Sequence, residues 1–286
     1  MKVFYRPEMS AFTESFSPSS SKPRLVVQDW QNDPQINCEI CSFSPATFQQ
    51  LKLAHDGDYV DGVLSGRYDN GFGNNDPAIA ESLPFVAGSM IAASEYAIRN
   101  REVVCSPSSG SHHAGTDFGA GYCSFNALLI AAMVMKQKGL VERVALIDVD
   151  RHWADGSDQI IRHHGLKWIV HRSQGKFFNS RQDCINGRYM RWLNKAIADC
   201  SGADLVLFNA GVDGHINDLL GGLHTTEELA ERDRAVFEKL GHKPTVISLA
   251  GGYQLDAEGT TPAERLEPVL ALHRQTARIH TQLFPA

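Results

Sequence analysis

The sequence has no long hydrophobic run, since none approaches the roughly 20 apolar residues that a membrane-spanning helix needs. Its first residues, M-K-V-F-Y-R-P-E, lack the apolar segment and the small-residue cleavage site of a secretory signal. We therefore expect a cytoplasmic protein without a membrane partner. The sequence also lacks internal repeats and any Pro/Gly-rich linker that would divide it, so we expect one domain over residues 1–286.

An excess of positive charge is also missing. The chain has 27 Lys and Arg residues against 33 Asp and Glu residues, a net charge of -6 and a pI near 6.0. Nucleic-acid-binding proteins normally need a basic face, so this balance argues against a nucleic-acid partner. A mildly acidic surface instead attracts cationic small molecules or peptides that carry lysine.

Cysteine is present, but not in a pattern typical of a structural metal site. The six cysteines suit a reducing compartment, where they pack as small apolar residues. Cys38 and Cys41 form a C-x-x-C motif, yet no second pair follows at the spacing of a zinc ribbon. We therefore do not assign a metal or redox role to this motif.

Strands and helices are predicted to alternate from Val103 onward. Short apolar segments at 102–105, 144–147, 167–171, 203–209 and 245–249 have the length of buried strands, and amphipathic segments separate them. Further helices are predicted at 45–55, 56–64, 77–100, 124–138, 157–163, 187–200, 226–240 and 262–283. This alternation predicts an α/β fold of three layers, in which helices cover both faces of a mostly parallel sheet. Residues 2–5 are a candidate first strand, and a Ser/Pro-rich surface loop is predicted to follow through Pro23.

Four predicted strands are followed by loops with titratable or metal-binding side chains. In chain order these loops carry His112 and His113, then Asp150, His152 and Asp155, then Asp213, and finally Tyr253. Because ligands of parallel α/β sheets bind beyond the carboxyl ends of the strands, we expect these groups to meet at one edge of the sheet.

The stretch A-L-I-D-V-D-R-H-W-A-D-G at 145–156 is central to this prediction. Asp148, Asp150 and His152 stand at alternate positions, which share one face of a strand. Such a cluster is costly unless a cation or a proton relay is present. With Asp213, the residues Asp150 and His152 would form an O,N,O ligand set for a divalent metal with one open position. Taken singly, the motif also fits a solvated turn, Asp213 a helix cap and Tyr253 a core aromatic residue.

Several motifs together resemble the zinc-dependent histone deacetylase family, which includes bacterial acetylpolyamine amidohydrolases and shares its architecture with arginase. The matching strings are H-H-A-G-T-D-F-G-A-G-Y-C-S-F-N at 112–126, I-D-V-D-R-H-W-A-D-G, N-A-G-V-D-G-H-I-N-D-L-L-G-G-L and L-A-G-G-Y. The similarity extends over most of residues 45–255 in the order of the family. Independent motifs that recur together are more specific than a single short pattern.

The resemblance implies a role for each of these positions. The Zn²⁺ ligands would be Asp150, His152 and Asp213, and K⁺ would bind beside Asp148, Asp150 and His152. His113 would transfer protons with Asp155 as its partner, His112 would pair with Asp148, and Tyr253 would donate a hydrogen bond to the oxyanion. Gly121 and Tyr122 would form one wall of a narrow acyl channel and Phe178 the opposite wall. Arg24 is a candidate for an internal acetate-release channel.

The chain departs from the family in two regions. Arg151, Trp153 and Ala154 replace the usual residues around the ligand histidine, and the segment from Phe177 to Asn186 is shorter than the family's channel wall. The implied activity is zinc-dependent hydrolysis of an acylated lysine side chain, polyamine or similar alkylamine, and the substrate is a small molecule or a peptide. The Ser/Pro-rich loop is a candidate contact for a homo-oligomer.

Two alternatives to this activity are a two-manganese ureohydrolase of the arginase type and a non-catalytic module that only binds acylamines. The first needs a further carboxylate in the pattern D-x-H-x-D, whereas Ala154 stands at that position. The second finds support only in the shortened segment, because every catalytic position is filled by a competent residue.

Overall fold

A seven-stranded sheet forms the centre of the computed structural model, which describes residues 1–285, and all its strand pairs are parallel. The strands are β1 (Lys2–Phe4), β2 (Glu39–Cys41), β3 (Val103–Cys105), β4 (Val144–Asp148), β5 (Ile169–Ser173), β6 (Leu205–Asn209) and β7 (Thr245–Ser248). Their order across the sheet is β2-β1-β3-β7-β6-β4-β5. The prediction of a three-layer α/β fold around a mostly parallel sheet is confirmed.

Each central strand is buried on both faces. In β4, Val144 and Leu146 belong to one hydrophobic cluster, whereas Ala145 and Ile147 belong to the other. Successive side chains of a strand point to opposite faces, so a continuous apolar run is required where helices cover both sides. The sequence of β4 therefore places Asp148 at the end of a rigid, fully buried support.

Helices cover both faces of the sheet. They are α1 (Lys22–Asn32), α2 (Phe48–Leu51), α3 (Gly57–Leu64), α4 (Pro77–Asn100), α5 (Ala127–Gln137), α6 (Asp155–His163), α7 (Arg181–Cys184), α8 (Arg188–Cys200), α9 (Thr226–Leu240) and α10 (Pro262–Leu283). Helices α4 and α5 contribute to the first cluster, and α1, α8, α9 and α10 contribute to the second. Within residues 1–285, no helix combines the length and the apolar character needed to cross a membrane.

The segment after β1 differs most from the prediction. The expected loop through Pro23 contains two short 3₁₀ turns, Pro7–Met9 and Pro18–Ser20, and it ends where α1 begins at Lys22. Helix α1 was not predicted. Proline is compatible with the first turn of a helix, because the amide hydrogen that it lacks would have no partner there. Pro23 therefore lies at the start of a helix rather than inside a loop.

Smaller differences concern element ends. The helix predicted at 45–55 is only Phe48–Leu51, because the side chain of Thr47 accepts a bond from the Gln50 amide and caps its start. Strand β5 ends at Ser173 rather than at 171, because it pairs with β4 as far as Asp148. The unpredicted strand β2 lies at the sheet edge, and Cys38, which precedes it, and Cys41, its last residue, are both free.

A buried histidine is expected to make the fold sensitive to acid. His280 in α10 packs between the rings of Phe237 and Phe284, and its Nε2 lies 3.1 Å from the carbonyl oxygen of Val103. Burial lowers the pKa of His280 to about 4, and the N-terminal ammonium adds to the shift, although the bond to Val103 opposes it. Between pH 6.5 and 4 the unfolded chain therefore takes up a proton that the folded protein does not.

We expect this histidine to remove roughly 3 kcal/mol of unfolding free energy as the pH falls through that window. Urea unfolding of the wild type and of His280→Gln over the window measures the effect, because the variant has no such group to titrate. His242→Gln, which changes an exposed histidine, is the matched control. An identical pH dependence in His280→Gln and the wild type would contradict the prediction.

Candidate active site

Four neighbouring strands bring the predicted site residues to one edge of the sheet. Strands β3, β7, β6 and β4 are adjacent, and each predicted loop leaves the carboxyl end of one of them. The loop after β3 carries the two histidines, those after β4 and β6 carry the candidate metal ligands, and the loop after β7 carries Tyr253. The parallel order of the sheet therefore explains how residues more than 100 positions apart in the sequence meet.

Asp150, His152 and Asp213 form a compact group of candidate metal ligands. One ligand atom from each lies within 4.8 Å of the others. His152 Nδ1 is 3.1 Å from Asp150 Oδ1 and 3.0 Å from Asp213 Oδ2. Both carboxylates are almost completely buried, and the His152 side chain is partly exposed. This arrangement of oxygen and nitrogen atoms is typical of a divalent metal site that is open on one side.

The polar atoms of this group fit a bound cation. The Asp213 Oδ1 atom accepts a hydrogen bond from the Arg151 amide. Its buried Oδ2 atom lies 3.0 Å from His152 Nδ1, but within residues 1–285 no group donates a well-directed hydrogen bond to it. Burial and the neighbouring Asp150 carboxylate raise the pKa of Asp213 above its ordinary value. Two carboxylates so close together resist simultaneous ionisation, and a divalent cation between them removes that repulsion.

Gly251 lets the loop after β7 approach these ligands. Its amide donates a 2.8 Å hydrogen bond to Asp150 Oδ2. A Cβ atom at this position would lie 2.4 Å from Asp213 Cγ and 2.7 Å from Asp150 Oδ2. These distances are shorter than carbon can tolerate, so a side chain here must displace a ligand.

We expect Gly251→Ala to lower the affinity for Zn²⁺ by roughly 10- to 100-fold, because the added methyl group pushes the ligand carboxylates out of position. Competition with a chromophoric chelator measures this affinity directly. Gly202→Ala is the control, since a Cβ atom there meets only Arg143 Nη1, at 3.9 Å. Unchanged zinc affinity in Gly251→Ala would show that these carboxylates do not bind the metal.

Two adjacent histidines lie beside the ligand group, each with its own carboxylate. His112 Nδ1 is 3.0 Å from Asp148 Oδ2, and His113 Nδ1 is 2.6 Å from Asp155 Oδ1. Burial opposes the charged form of His112, but the carboxylates of Asp150 and Asp148 raise its pKa to about 9. Burial and the charge of His112 lower the pKa of His113, although Asp155 opposes this shift. The two shifts are opposite in direction, because the carboxylates favour the charged form of His112, whereas burial and the charge of His112 favour the neutral form of His113.

The partner of His113 is less buried than expected for a relay carboxylate. The Asp155 side chain is 51% exposed, whereas that of Asp148 is fully buried. Asp155 Oδ1 also accepts a 2.9 Å bond from the Gly156 amide at the start of α6. Water screens an exposed pair, so Asp155 orients the His113 ring more than it stabilises its charge.

Tyr253 faces the ligand group from the loop after β7. Its ring centroid is 6.4 Å from that of His152, and burial together with the Asp150 carboxylate raises the pKa of its hydroxyl. The hydroxyl therefore stays protonated and can donate a hydrogen bond. Asp218, which was not predicted, fixes this loop because its Oδ2 accepts bonds from the amides of Tyr253 (2.6 Å) and Gln254 (3.0 Å).

The predicted channel wall at Gly121 and Tyr122 borders the site. Both residues have left-handed backbone conformations, with φ values of +52° and +63°. A Cβ atom at Gly121 would lie 2.6 Å from His113 Cδ2, so only glycine fits against the histidine. The left-handed conformation is unfavourable for tyrosine, and strain of this kind is common at functional sites. Phe72 packs edge-on against the Tyr122 ring at 5.4 Å and holds it in place.

Phe178, predicted as the opposite wall, lies elsewhere. Its side chain is 2% exposed and packs against Tyr189 and Trp192, with ring centroids 5.3 and 5.4 Å apart, inside the second hydrophobic cluster. Arg151 donates hydrogen bonds to the carbonyl oxygens of Phe178 and Asn179, and the Phe178 side chain alone points into the core while its neighbours Phe177 and Asn179 are exposed. The assignment of Phe178 to the channel was therefore wrong.

Arg24, the candidate residue of an internal acetate-release channel, is not buried, whereas Lys22 is. Arg24 is exposed and its guanidinium lies over the ring of Phe12, 5.5 Å from the centroid. Lys22 is instead completely buried, and its Nζ donates a hydrogen bond to the carbonyl oxygen of Ala250. Burial lowers the pKa of Lys22 to about 8, whereas the Asp213 and Asp150 carboxylates oppose the shift. A lysine is rarely buried unless paired, which makes Lys22 a candidate site residue.

Phe16 is a further residue that the sequence did not reveal. Its ring stacks on Tyr253 at 6.0 Å and on Tyr122 at 6.4 Å between centroids. Phe16 and Lys22 both follow β1, whose carboxyl end adjoins β3 in the sheet. Ligands of parallel sheets bind beyond the carboxyl ends of the strands, so the loop after β1 belongs to the same edge as the other site loops. The sequence does not reveal this, because it does not show that β1 lies next to β3.

A family model described as a histone deacetylase domain matches residues 18–187, which is more than half of the chain. Acetylpolyamine amidohydrolase 2 of Pseudomonas aeruginosa is 37% identical over 57% of this chain and 54% of its own length. Chloroplastic histone deacetylase 10 of Oryza sativa subsp. japonica is 26% identical over 84% of this chain and 65% of its own length. The chain thus spans about half to two thirds of these curated relatives. Among solved structures, an acetylpolyamine aminohydrolase from Burkholderia pseudomallei has the same fold, with a TM-score of 0.73, 15% identity and 99% coverage of both chains.

Proposed function

The chain belongs to the histone deacetylase family, and on this premise we propose that it is a zinc-dependent amidohydrolase. Its reaction would remove an acyl group, most simply acetyl, from an alkylamine such as a polyamine or a lysine side chain. The observation that carries the proposal is the convergence of three candidate metal ligands with a histidine that can accept a proton and a tyrosine that can donate a hydrogen bond. Amide hydrolysis needs these three functions together.

Asp150, His152 and Asp213 would hold the zinc ion. When bound, zinc acts as a Lewis acid that polarises the amide carbonyl and makes a water molecule more acidic. The rings of His113 and Tyr253 lie beside this group, with centroids 5.8 and 6.4 Å from that of the His152 ring. We keep K⁺ beside Asp148, Asp150 and His152 as part of this proposal.

His113 would move the proton. Its Nδ1 donates to Asp155 Oδ1, which leaves Nε2 without a hydrogen and free to accept a proton from water as the carbon–oxygen bond forms. The same nitrogen then returns the proton to the amine as the carbon–nitrogen bond breaks. Burial favours the neutral form of His113 that this role requires, and His112 beside it is positioned by the hydrogen bond of its Nδ1 to Asp148 Oδ2.

Tyr253 would stabilise the negative charge that develops on the carbonyl oxygen. Its hydroxyl is held in a largely buried position by the two backbone bonds to Asp218. A donor that is fixed before the reaction does not have to reorganise in the transition state. The buried ammonium of Lys22 supports the same loop through the carbonyl oxygen of Ala250.

Asp155 argues against the two-manganese alternative. It is the carboxylate nearest in sequence after His152, and it binds the ring of His113 rather than joining the ligand group. We therefore propose one catalytic metal. The six free cysteines fit the proposed cytoplasmic location, where thiols stay reduced.

The direct test is an assay of zinc-loaded protein on N-acetylputrescine and on an acetyl-lysine tripeptide, with acetate release as the readout. We expect release from at least one substrate, loss of activity after chelation, and one metal ion per chain by elemental analysis. Release of acetate from neither substrate, at full zinc occupancy, would exclude a deacetylase and favour a binding module. Two manganese ions per chain with urea release from a guanidino substrate would favour the alternative chemistry.

A further inference from the structure

We infer that Phe16 forms the second wall of the acylamine channel and selects slender alkylamine arms over arms carried by a peptide. This inference rests on the proposed function. The loop after β1 would then supply the channel wall that was predicted at Phe178.

Three aromatic rings surround the approach to the ligand group. The centroid distances are 6.0 Å from Phe16 to Tyr253, 6.4 Å from Phe16 to Tyr122 and 6.3 Å from Tyr122 to Tyr253. The interplanar angle between Phe16 and Tyr253 is 18°, so these two rings are nearly parallel. Phe16 is 52% exposed, whereas Tyr253 is 8% exposed. The Phe16 ring therefore forms the outer side of the group and Tyr253 the inner side.

The spacing of the rings has a consequence for substrate entry. A methylene group between two ring faces needs about 7 to 8 Å, which is twice the optimum distance between carbon atoms in contact. The ring centroids of Phe16 and Tyr253 are 6.0 Å apart, so an arm that lies between these two rings requires Phe16 to move outward. A narrow, unbranched arm demands the smallest displacement.

The backbone around Phe16 permits this movement. The base of the loop is closed by a 2.9 Å bond from the Ala11 amide to the Ser20 carbonyl oxygen. In the described chain, residues 12–16 make no backbone hydrogen bond to another backbone group. The Phe16 ring can therefore move without breaking regular structure and then pack against the bound arm.

Aromatic faces suit the substrate class that we propose. They offer contact to methylene groups and attract a distant ammonium through their quadrupole. A peptide carries bulky main chain on both sides of the lysine arm, and that main chain meets the exposed loop. The Phe16 side chain therefore favours a slender acylated amine.

The test compares Phe16→Ala with Phe12→Ala, because Phe12 lies in the same loop and is also 52% exposed. We expect Phe16→Ala to raise KM for N-acetylputrescine about tenfold with little change in kcat. Its kcat/KM for the acetyl-lysine tripeptide should stay constant or rise. Phe16→Tyr should restore the wild-type preference, and Phe12→Ala should retain it.

Equal effects of Phe16→Ala on both substrates, or equal effects of the two alanine variants, would overturn the inference. Failure of the proposed function is a separate result, since the wild type would then release acetate from neither substrate. In that case a binding measurement still tests whether Phe16 contacts the acylated amine. Titration calorimetry of zinc-loaded His113→Ala with N-acetylputrescine should show a Kd about tenfold weaker when Phe16→Ala is added. An unchanged Kd would contradict the inference.

Discussion

His113→Ala is expected to reduce kcat for deacylation by about 100- to 10,000-fold, because it removes the group that we propose accepts the proton of water and returns it to the amine. His113 is not one of the candidate ligands, so zinc affinity should be unchanged. Steady-state rates with matched zinc occupancy, together with chelator competition, separate the two effects. Activity within tenfold of the wild type would show that another group transfers the proton.

Asp155→Asn provides a graded comparison. Because the Asp155 side chain is half-exposed, its loss should cost less than about tenfold in kcat.

The pH profile of deacylation gives an independent check on the role of His113. A general base must be neutral, so activity should fall as the pH drops through the pKa of His113, which burial and His112 hold below 6.5. An acid limb above pH 6.5 would contradict this assignment.

Tyr253→Phe is expected to reduce kcat by roughly 100- to 1,000-fold, because it removes the hydroxyl that we propose as the hydrogen-bond donor to the developing oxyanion. The substitution keeps the ring that packs against Phe16 and Tyr122, and it keeps the backbone bonds to Asp218. KM and zinc affinity should therefore change little. Rates on the better of the two acetylated substrates measure the effect.

Tyr68→Phe is the matched control for this change. Tyr68 is an exposed tyrosine whose hydroxyl donates a 2.6 Å bond to Asp58. Its variant should retain wild-type kinetics. If Tyr253→Phe also kept the wild-type kcat, Tyr253 would not stabilise the oxyanion, and a different donor would have to be sought among the loops after the central strands.

The sequence predicts the candidate metal ligands, His113 and Tyr253, because each of them follows an apolar strand within a few residues and can be recognised from the local sequence. Asp148, Asp150 and His152 follow one apolar strand, and the loops of His113, Asp213 and Tyr253 follow three others. The channel walls depend instead on packing between separate segments. Phe178 packs into the core against α8, and Phe16 reaches Tyr253 only because β1 lies beside β3.

The same distinction applies to the fold. Helices α4, α9 and α10 were predicted with their observed bounds, because long amphipathic segments with capping residues carry a strong local signal. Strand β2 has only three residues, is largely exposed and gains its structure from pairing with β1. Helix α1 begins within a Ser/Pro-rich segment, and its apolar side chains are buried by contact with α10. Neither was apparent from local sequence.

The position of β7 determines when during synthesis this protein can complete its sheet. It is the last strand in the sequence, yet it lies at the middle of the sheet between β3 and β6. Until the ribosome has released residues 245–248, the first three strands and the strands β4 to β6 have no hydrogen bonds in common. A nascent chain without β7 therefore lacks the strand that joins β3 to β6, and any strands paired before then leave these inner edges open to aggregation. Folding to the native state is consequently a late, long-range event, and a chain truncated before β7 cannot join its halves.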